Sequence, residues 1–242
     1  MKQIIIIITY LFFINCHSQK GKIIYNVSTN MAEYENLKKN IDNEDMINET
    51  IKSTQDVSCE LLFNKNESLF QKIESLELDG KYNLTSIKVG NGKYFYNTKT
   101  KITLEEKEVL GTNFIITKNE IKWQLTNETK TISGYNCNKA VSTIDVEGRN
   151  GFKKKNITTW YTADIPLNFG PKNYNGLPGL IIILQEGNLY YSVKRMLLNS
   201  KEDIIIKSHN EGNEISQKEY DKKIKEFVLN RRKYMNRKRS KK

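Results

Sequence analysis

Residues 169–184 read FGPKNYNGLPGLIIIL. The chain has three prolines, and Pro166, Pro171 and Pro178 all lie in this stretch or just ahead of it. Proline fixes its own φ near about −65°, removes a backbone donor and pushes the preceding residue toward extended conformations. Glycine accepts a positive φ because it lacks a Cβ. Asn175-Gly176 is a turn dipeptide, and Pro178-Gly179 suits the two central positions of a type II turn. Two such turns in tandem predict a stiff corner. It opens on Leu180-Ile181-Ile182-Ile183-Leu184, an apolar run with no polar face, which reads as a strand covered on both sides. A slip of one residue would exchange the faces of that strand, so the corner is expected to set its register. Gly170, Pro171, Gly176, Leu177, Pro178, Gly179, Leu180 and Ile181 are thus read as architectural residues.

Around the corner lie many short segments rich in β-branched and aromatic residues, separated by polar turns. Strands are expected at 22–29, 57–63 and 68–70, at Lys88-Val89 before the Gly90-Asn91-Gly92 turn, and at 93–97. Others are expected near 101–109, 113–118, 121–126, 139–147 and 156–162. Leu180–Leu184 and Leu189–Leu197 read as a hairpin around Glu186-Gly187-Asn188. The pattern predicts a mainly β (α+β) protein, a curved antiparallel sheet or partly open barrel. Asn30 with Glu33 marks a helix start, and loosely helical apolar spacing continues over 31–53. Ser216 with Glu219 is a second capping box. Tyr220, Ile224, Phe227, Val228 and Met235 then predict a basic amphipathic helix over 216–236, ahead of a disordered RKRSKK end. The organisation is a leader at 1–18, a β domain at 19–215, and a basic helix and tail at 216–242.

The net charge of +11 follows the same division. Residues 217–242 hold twelve Lys/Arg against three acids, so nine of the net positive charges belong to the tail. The β domain itself is close to neutral and needs no polyanionic partner.

The ordered set of residues resembles a known family. Gly176-Leu177-Pro178-Gly179-Leu180-Ile181 spells the signature of the GLPGLI family, exported proteins of Bacteroidetes-type bacteria without an established activity. Trp123, Thr129–Cys137 (TKTISGYNC), Gly148-Arg149, Trp160-Tyr161-Thr162, Ile165-Pro166 and Gly170-Pro171 follow that family's order. Leu61–Phe70 is similar to its earlier strand–turn–Ser element. The resemblance covers most of residues 22–198 and implies a mostly antiparallel β domain, secreted or periplasmic, of unassigned function. The 31–53 helix and the basic tail are less typical of the family.

The N-terminus agrees with export. Lys2 precedes an apolar run from Ile4 to Ile14, too short to span a membrane, and Cys16-His17-Ser18 resembles a small-x-small cleavage site. The rival reading lipidates Cys16, but Asn15 stands where a small residue is wanted, so a periplasmic or secreted protein is the first expectation. Export permits a disulfide between Cys59 and Cys137; two buried thiols are the alternative.

Catalytic signals are sparse. Removal of the leader leaves His209 as the single histidine, in a polar loop, which argues against His-dependent triads and zinc sites. No Walker, GxSxG, CxxC or HExxH motif is present, and no catalytic residue, metal site or cofactor is expected. Glu105, Glu106 and Glu108 read as a solvated acidic turn. Arg149, Trp160 and Tyr161 are the candidate ligand-binding residues, Arg149 as an anion clamp and the aromatics as a groove lining. The competing reading makes Arg149 a backbone tie and the aromatics core.

These signals imply a non-catalytic exported domain that binds an apolar ligand or an envelope partner. An envelope hydrolase with carboxylates not located in the sequence and a structural assembly partner are the alternatives. Residues 216–242 are a candidate contact for an anionic membrane surface; nucleic acid is not an expected partner.

Overall fold

The computed structural model describes residues 20–30, 49, 52–74, 82–148, 151–207 and 212–239. The leader with Cys16, most of the 31–53 helix, Arg149 and His209 lie outside the described residues. Twelve strands form one sheet in the spatial order β12-β6-β5-β4-β3-β2-β1-β11-β10-β9-β8-β7. The first meander runs through β1 (Gly21–Thr29), β2 (Val57–Phe63), β3 (Glu67–Lys72), β4 (Lys93–Asn97), β5 (Ile102–Val109) and β6 (Thr112–Thr117). The second runs through β7 (Gln124–Ile132), β8 (Tyr135–Gly148), β9 (Gly151–Thr162), β10 (Leu180–Glu186) and β11 (Leu189–Leu197). Antiparallel pairing of β11 with β1 joins the two. The short strand β12 (Asn213–Ser216) adds to β6 in parallel, the one exception to antiparallel pairing. The sheet does not close into a barrel: β7 and β12 are its two edges.

The apolar run is buried as expected. Leu180, Ile181 and Leu184 are fully buried and Ile182 nearly so, with Ile183 partly exposed. β10 sits between β9 and β11, so its backbone is satisfied on both edges. The hairpin to β11 closes at Gly187-Asn188, with Gly187 at φ 60°, the sign that the first position of a type II′ turn requires.

The corner is built differently from the sequence expectation. Gly179 N–H donates to Leu177 O at 2.8 Å, which closes a γ-turn on Pro178 in place of a type II turn. Leu167 N–H donates to Ile165 O at 2.7 Å and closes a second γ-turn on Pro166. The fixed φ of proline matches the central residue of an inverse γ-turn. Leu180 N–H is then free to donate to Ile165 O at 3.0 Å, which ties the strand's start to the first γ-turn. Gly179 is required by space: a Cβ there would lie 2.0 Å from Thr162 O.

Residues 163–179 fold over one face of the sheet, and strands of both meanders curl around them. The Phe169 ring lies 5.9 Å from Phe63 on β2 and 6.2 Å from Tyr96 on β4. Asn175 Nδ2 donates to Thr103 Oγ1 on β5 at 3.0 Å. Ile165, Leu167, Phe169, Tyr174 and Leu177 join the core with Tyr25, Phe70 and Tyr191 of the strands. A carrier would keep that interior open for an apolar ligand. Here the proline corner fills it.

Three further expectations are corrected. Lys88-Val89 is not a strand but the end of a short helix, α1 (Leu84–Val89), capped by Asn83, whose side chain accepts from Thr85 and Ser86 N–H. Residues 121–123 are not strand: Trp123 Nε1–H donates to Asn175 O at 2.8 Å and holds this segment to the corner, so β7 starts at Gln124. Cys59 and Cys137 are free, buried thiols, so the disulfide is not formed. They sit on β2 and β8, in separate meanders.

The C-terminal helix forms as predicted. α2 (Gln217–Arg239) is capped by the reciprocal box: Ser216 N–H donates to Glu219 Oε2 at 3.1 Å, and Glu219 N–H to Ser216 Oγ at 3.3 Å. Among the described residues no helix is long and apolar enough to cross a membrane.

Candidate functional site

Where the two meanders face each other they leave a cleft of about 480 Å³. One wall is the segment between β6 and β7, residues 118–122; the other is β8 from Ser142 to Val146. Lys172, Asn173 and Tyr174 of the proline corner form the floor with Tyr94 and Glu186, and Gln217 and Asp221 of α2 close one end. The walls are tied in place. Ser142 Oγ donates to Lys122 O at 2.9 Å, and Lys118 N–H to Thr103 O at 2.9 Å.

The floor is a buried ion-pair network. Lys172 Nζ donates to Glu186 Oε2 at 2.9 Å and Lys155 Nζ to Glu186 Oε1 at 3.2 Å. The two partners Lys172 and Glu186 are about nine-tenths buried, at 9% and 11% side-chain exposure. Lys172 also lies over the Tyr191 ring at 5.6 Å. Burial alone would raise the Glu186 pKa, but the two lysines override it and hold the carboxyl down at about 2. Burial alone would likewise depress Lys172, and the facing Glu186 carboxylate raises it well above its ordinary value instead. Both groups are therefore charged at neutral pH.

A second pair stands beside the first. Glu105, on β5, accepts from Lys118 Nζ at 2.8 Å and from Tyr94 Oη at 3.0 Å. The acidic turn expected at Glu105 is thus corrected: Glu105 is 5% exposed and points inward, opposite the space left by Gly92, where a Cβ would meet its Oε1 at 2.7 Å. Burial works to raise the Glu105 pKa, and Lys118 outweighs it, so the carboxyl is held below its usual range. Burial pushes the Tyr94 hydroxyl up, with Glu105 adding to it.

These directions argue against Glu186 and Glu105 as proton donors. A glycosidase-type mechanism needs one carboxyl kept protonated as the acid. Glu186 in the floor and Glu105, outside the lining beside Tyr94 and Lys118, are both held as anions by lysines. A lysine nucleophile needs a depressed pKa, and Lys172 moves the other way. The Lys172–Glu186 pair holds the corner against β10, and the Lys118–Glu105 pair holds the segment after β6 against β5.

Of the ligand-binding residues expected from sequence, Tyr161 is 5% exposed and in the core. Trp160 is packed partly buried against it. They are successive residues of β9, so they point to opposite sheet faces, and neither lines the cleft. Tyr174, two residues before Gly176, is in the floor. Sequence reasoning missed Lys172, Glu186, Tyr94, Lys118, Gln217 and Asp221. The usable signal was weak: a lysine directly after the buried Pro171, and a glutamate closing an apolar strand. Among the described residues no cluster of three or more metal-ligating side chains converges.

A family model described as "Protein of unknown function (Porph_ging)" matches residues 145–183, from the second half of β8 through β9 and the corner into β10. No curated protein matches the chain. Two solved structures of PNGF-II, in the C2 and P21 space groups, are similar, with TM-scores of 0.52 and 0.50 at 14% and 16% identity. Each alignment covers 84% of this chain and 32% of the PNGF-II chain, so this chain spans about a third of that protein's length. The likeness is one of fold.

Proposed function

We propose that the chain is an exported envelope protein of the GLPGLI kind, and that it is a non-catalytic binding domain whose ligand lies in the cleft between the two meanders. Export is argued from Lys2, the Ile4–Ile14 run and the residues at 16–18. The family reading is argued from Gly176–Ile181 and the match over residues 145–183. The observation that carries the binding reading is the floor: its buried Glu186 carboxylate is paired with two lysines and unsuited to proton transfer, as is Glu105 beside Tyr94 and Lys118.

The rim argues for the ligand class. Asn119, Glu120, Lys122, Thr143, Asp145 and Asp221 bring donors, acceptors and both signs of charge to the lining. An anion would meet three carboxylates and a cation three lysines, counting Lys118 and Lys172 below. A neutral ligand dense in hydroxyls meets a partner at every position. A neutral oligosaccharide is the class that fits.

Calorimetric titration with a panel of neutral oligosaccharides tests the reading, followed by Asp145→Ala and Asp221→Ala. Binding that weakens in both variants, with the sugar recovered intact, supports it. Tighter binding of charged sugars, no binding at all, or cleavage of the ligand would each defeat it, the last in favour of the hydrolase.

A further inference from the structure

Among the described residues, the ring contacts of α2 lie near its beginning. Its Tyr220 ring stacks edge-on against Phe114 of β6 at 5.6 Å, and Lys223 Nζ lies over the same Phe114 ring at 5.7 Å. Beyond this turn Phe227, Val228 and Leu229 are 42%, 40% and 45% exposed. The part from Lys225 to Arg239 extends the helix by about 20 Å at 1.5 Å per residue. An isolated helix of this length is marginal in water, and its turn with Phe227 and Val228 is exposed.

Two properties of α2 coincide. Gln217–Arg239 carries ten Lys/Arg against three acids. The apolar positions Tyr220, Ile224, Phe227 and Val228 recur at steps of four, three and one, which puts them on one side of the helix. The anchor on Phe114 uses the start of that stripe, and the exposed Phe227 and Val228 continue it. A helix with a basic face and a short apolar stripe fits the plane of an anionic lipid surface, where the rings enter the acyl boundary and the cations face phosphates. A nucleic-acid backbone or an acidic protein chain would use the cations and leave Phe227 and Val228 in water.

We infer that α2 is the membrane-contact element of this protein, and that its occupant is the anionic lipid headgroup surface. The contact is peripheral and electrostatic in its larger part, so salt screens it. Gln217 and Asp221 at the start of the same helix line the cleft. This inference stands without the saccharide reading.

The test is co-sedimentation of the full chain with phosphatidylcholine vesicles, with and without phosphatidylglycerol, at rising salt. The expected result is binding only to the phosphatidylglycerol vesicles, lost at high salt. The triple variant Lys222→Glu, Arg232→Glu, Lys233→Glu is expected to lose about a hundredfold or more in affinity, from about fivefold per charge. Phe227→Ser with Val228→Ser is expected to weaken binding about tenfold at unchanged charge. Circular dichroism and the melting temperature show that both variants keep the sheet. Equal binding to neutral vesicles, no binding to either, or full binding by the charge-reversed chain overturns the inference. Capture of heparin or duplex DNA with full vesicle affinity retained in the Phe227/Val228 variant also overturns it, by making the site a polyanion patch.

Discussion

At Gly179 the backbone of β9 leaves no room for a side chain. A Cβ there would lie 2.0 Å from Thr162 O and 2.6 Å from Thr162 C, both backbone atoms that cannot swing aside. Gly176 is the opposite case: its φ is 84° but nothing lies within 4 Å of an added Cβ. The two glycines of one motif therefore answer to different causes. Gly176→Ala is expected to cost about 1 kcal/mol, the strain of a left-handed non-glycine residue. Gly179→Ala is expected to cost several times that, since β9 and β10 must separate where they pair. Urea melts of the two variants measure the gap, and equal losses would remove the steric account. The thiols give a second measurement. Burial pushes the Cys59 thiol up to about 12, and burial with the nearby Asp164 carboxylate raises Cys137. The thiolate is the reactive form, so peptides containing Cys59 and Cys137 should remain unalkylated in native protein at pH 8 and be alkylated fully after unfolding. Native labelling of either would show that β2 or β8 opens locally.

Elements with their own turn chemistry were legible before the structure. β2, β4 and the β10–β11 hairpin lie within a residue or two of where apolar alternation and Gly, Asn and Asp placed them. The helix α1 was not legible, because Thr85, Ile87 and Val89 carry strand propensity and its first turn holds no acidic residue. Its existence depends on Asn83, which accepts from Thr85 N–H at 3.0 Å and Ser86 N–H at 3.3 Å, and on a buried hydroxyl pair, Thr29 with Thr85, at 2.8 Å. Neither partner of that pair signals the other in sequence. Asn83→Ala should cost about 1 kcal/mol, as loss of an N-cap does. Thr85→Val should cost roughly 1–3 kcal/mol by stranding the Thr29 hydroxyl, and the double change of Thr29 and Thr85 to Val should recover part of it. A thermal-melt double-mutant cycle reads the coupling; strict additivity would mean that the hydroxyls do not act as a pair. The cleft was illegible for the same reason at longer range. Lys172, Glu186, Glu105 and Lys118 look like ordinary surface charges until the curling of the sheet brings the corner against β5, β10 and β11.

For the whole molecule, that buried network sets how the fold answers acid. The folded state favours the Glu186 carboxylate, whose pKa stands at about 2 against an ordinary value near 4.5. A depressed folded pKa gives stability that is complete above the ordinary value and is lost as the pH falls through the depressed one. The loss therefore falls between about pH 4.5 and 2, and the shift corresponds to roughly 3 kcal/mol. Glu105 contributes with the same sign, because Lys118 holds its carboxyl below the usual range. Lys172 keeps its charge throughout this window, so each proton taken up by Glu186 leaves a buried ammonium with a weakened partner, and the corner loses its tie to β10. The native chain should thus lose melting temperature steeply below pH 4.5. Glu186→Gln should start less stable at pH 7 and show a shallower decline, so that the two curves converge as the pH approaches 2. Lys172→Met should be worse than either at neutral pH, because it buries the Glu186 carboxylate against Lys155 alone. Melting curves from pH 7 down to pH 2 decide this: parallel declines for native and Glu186→Gln protein would mean that the acid sensitivity arises elsewhere on the sheet and that the Lys172–Glu186 pair does not hold the corner to β10.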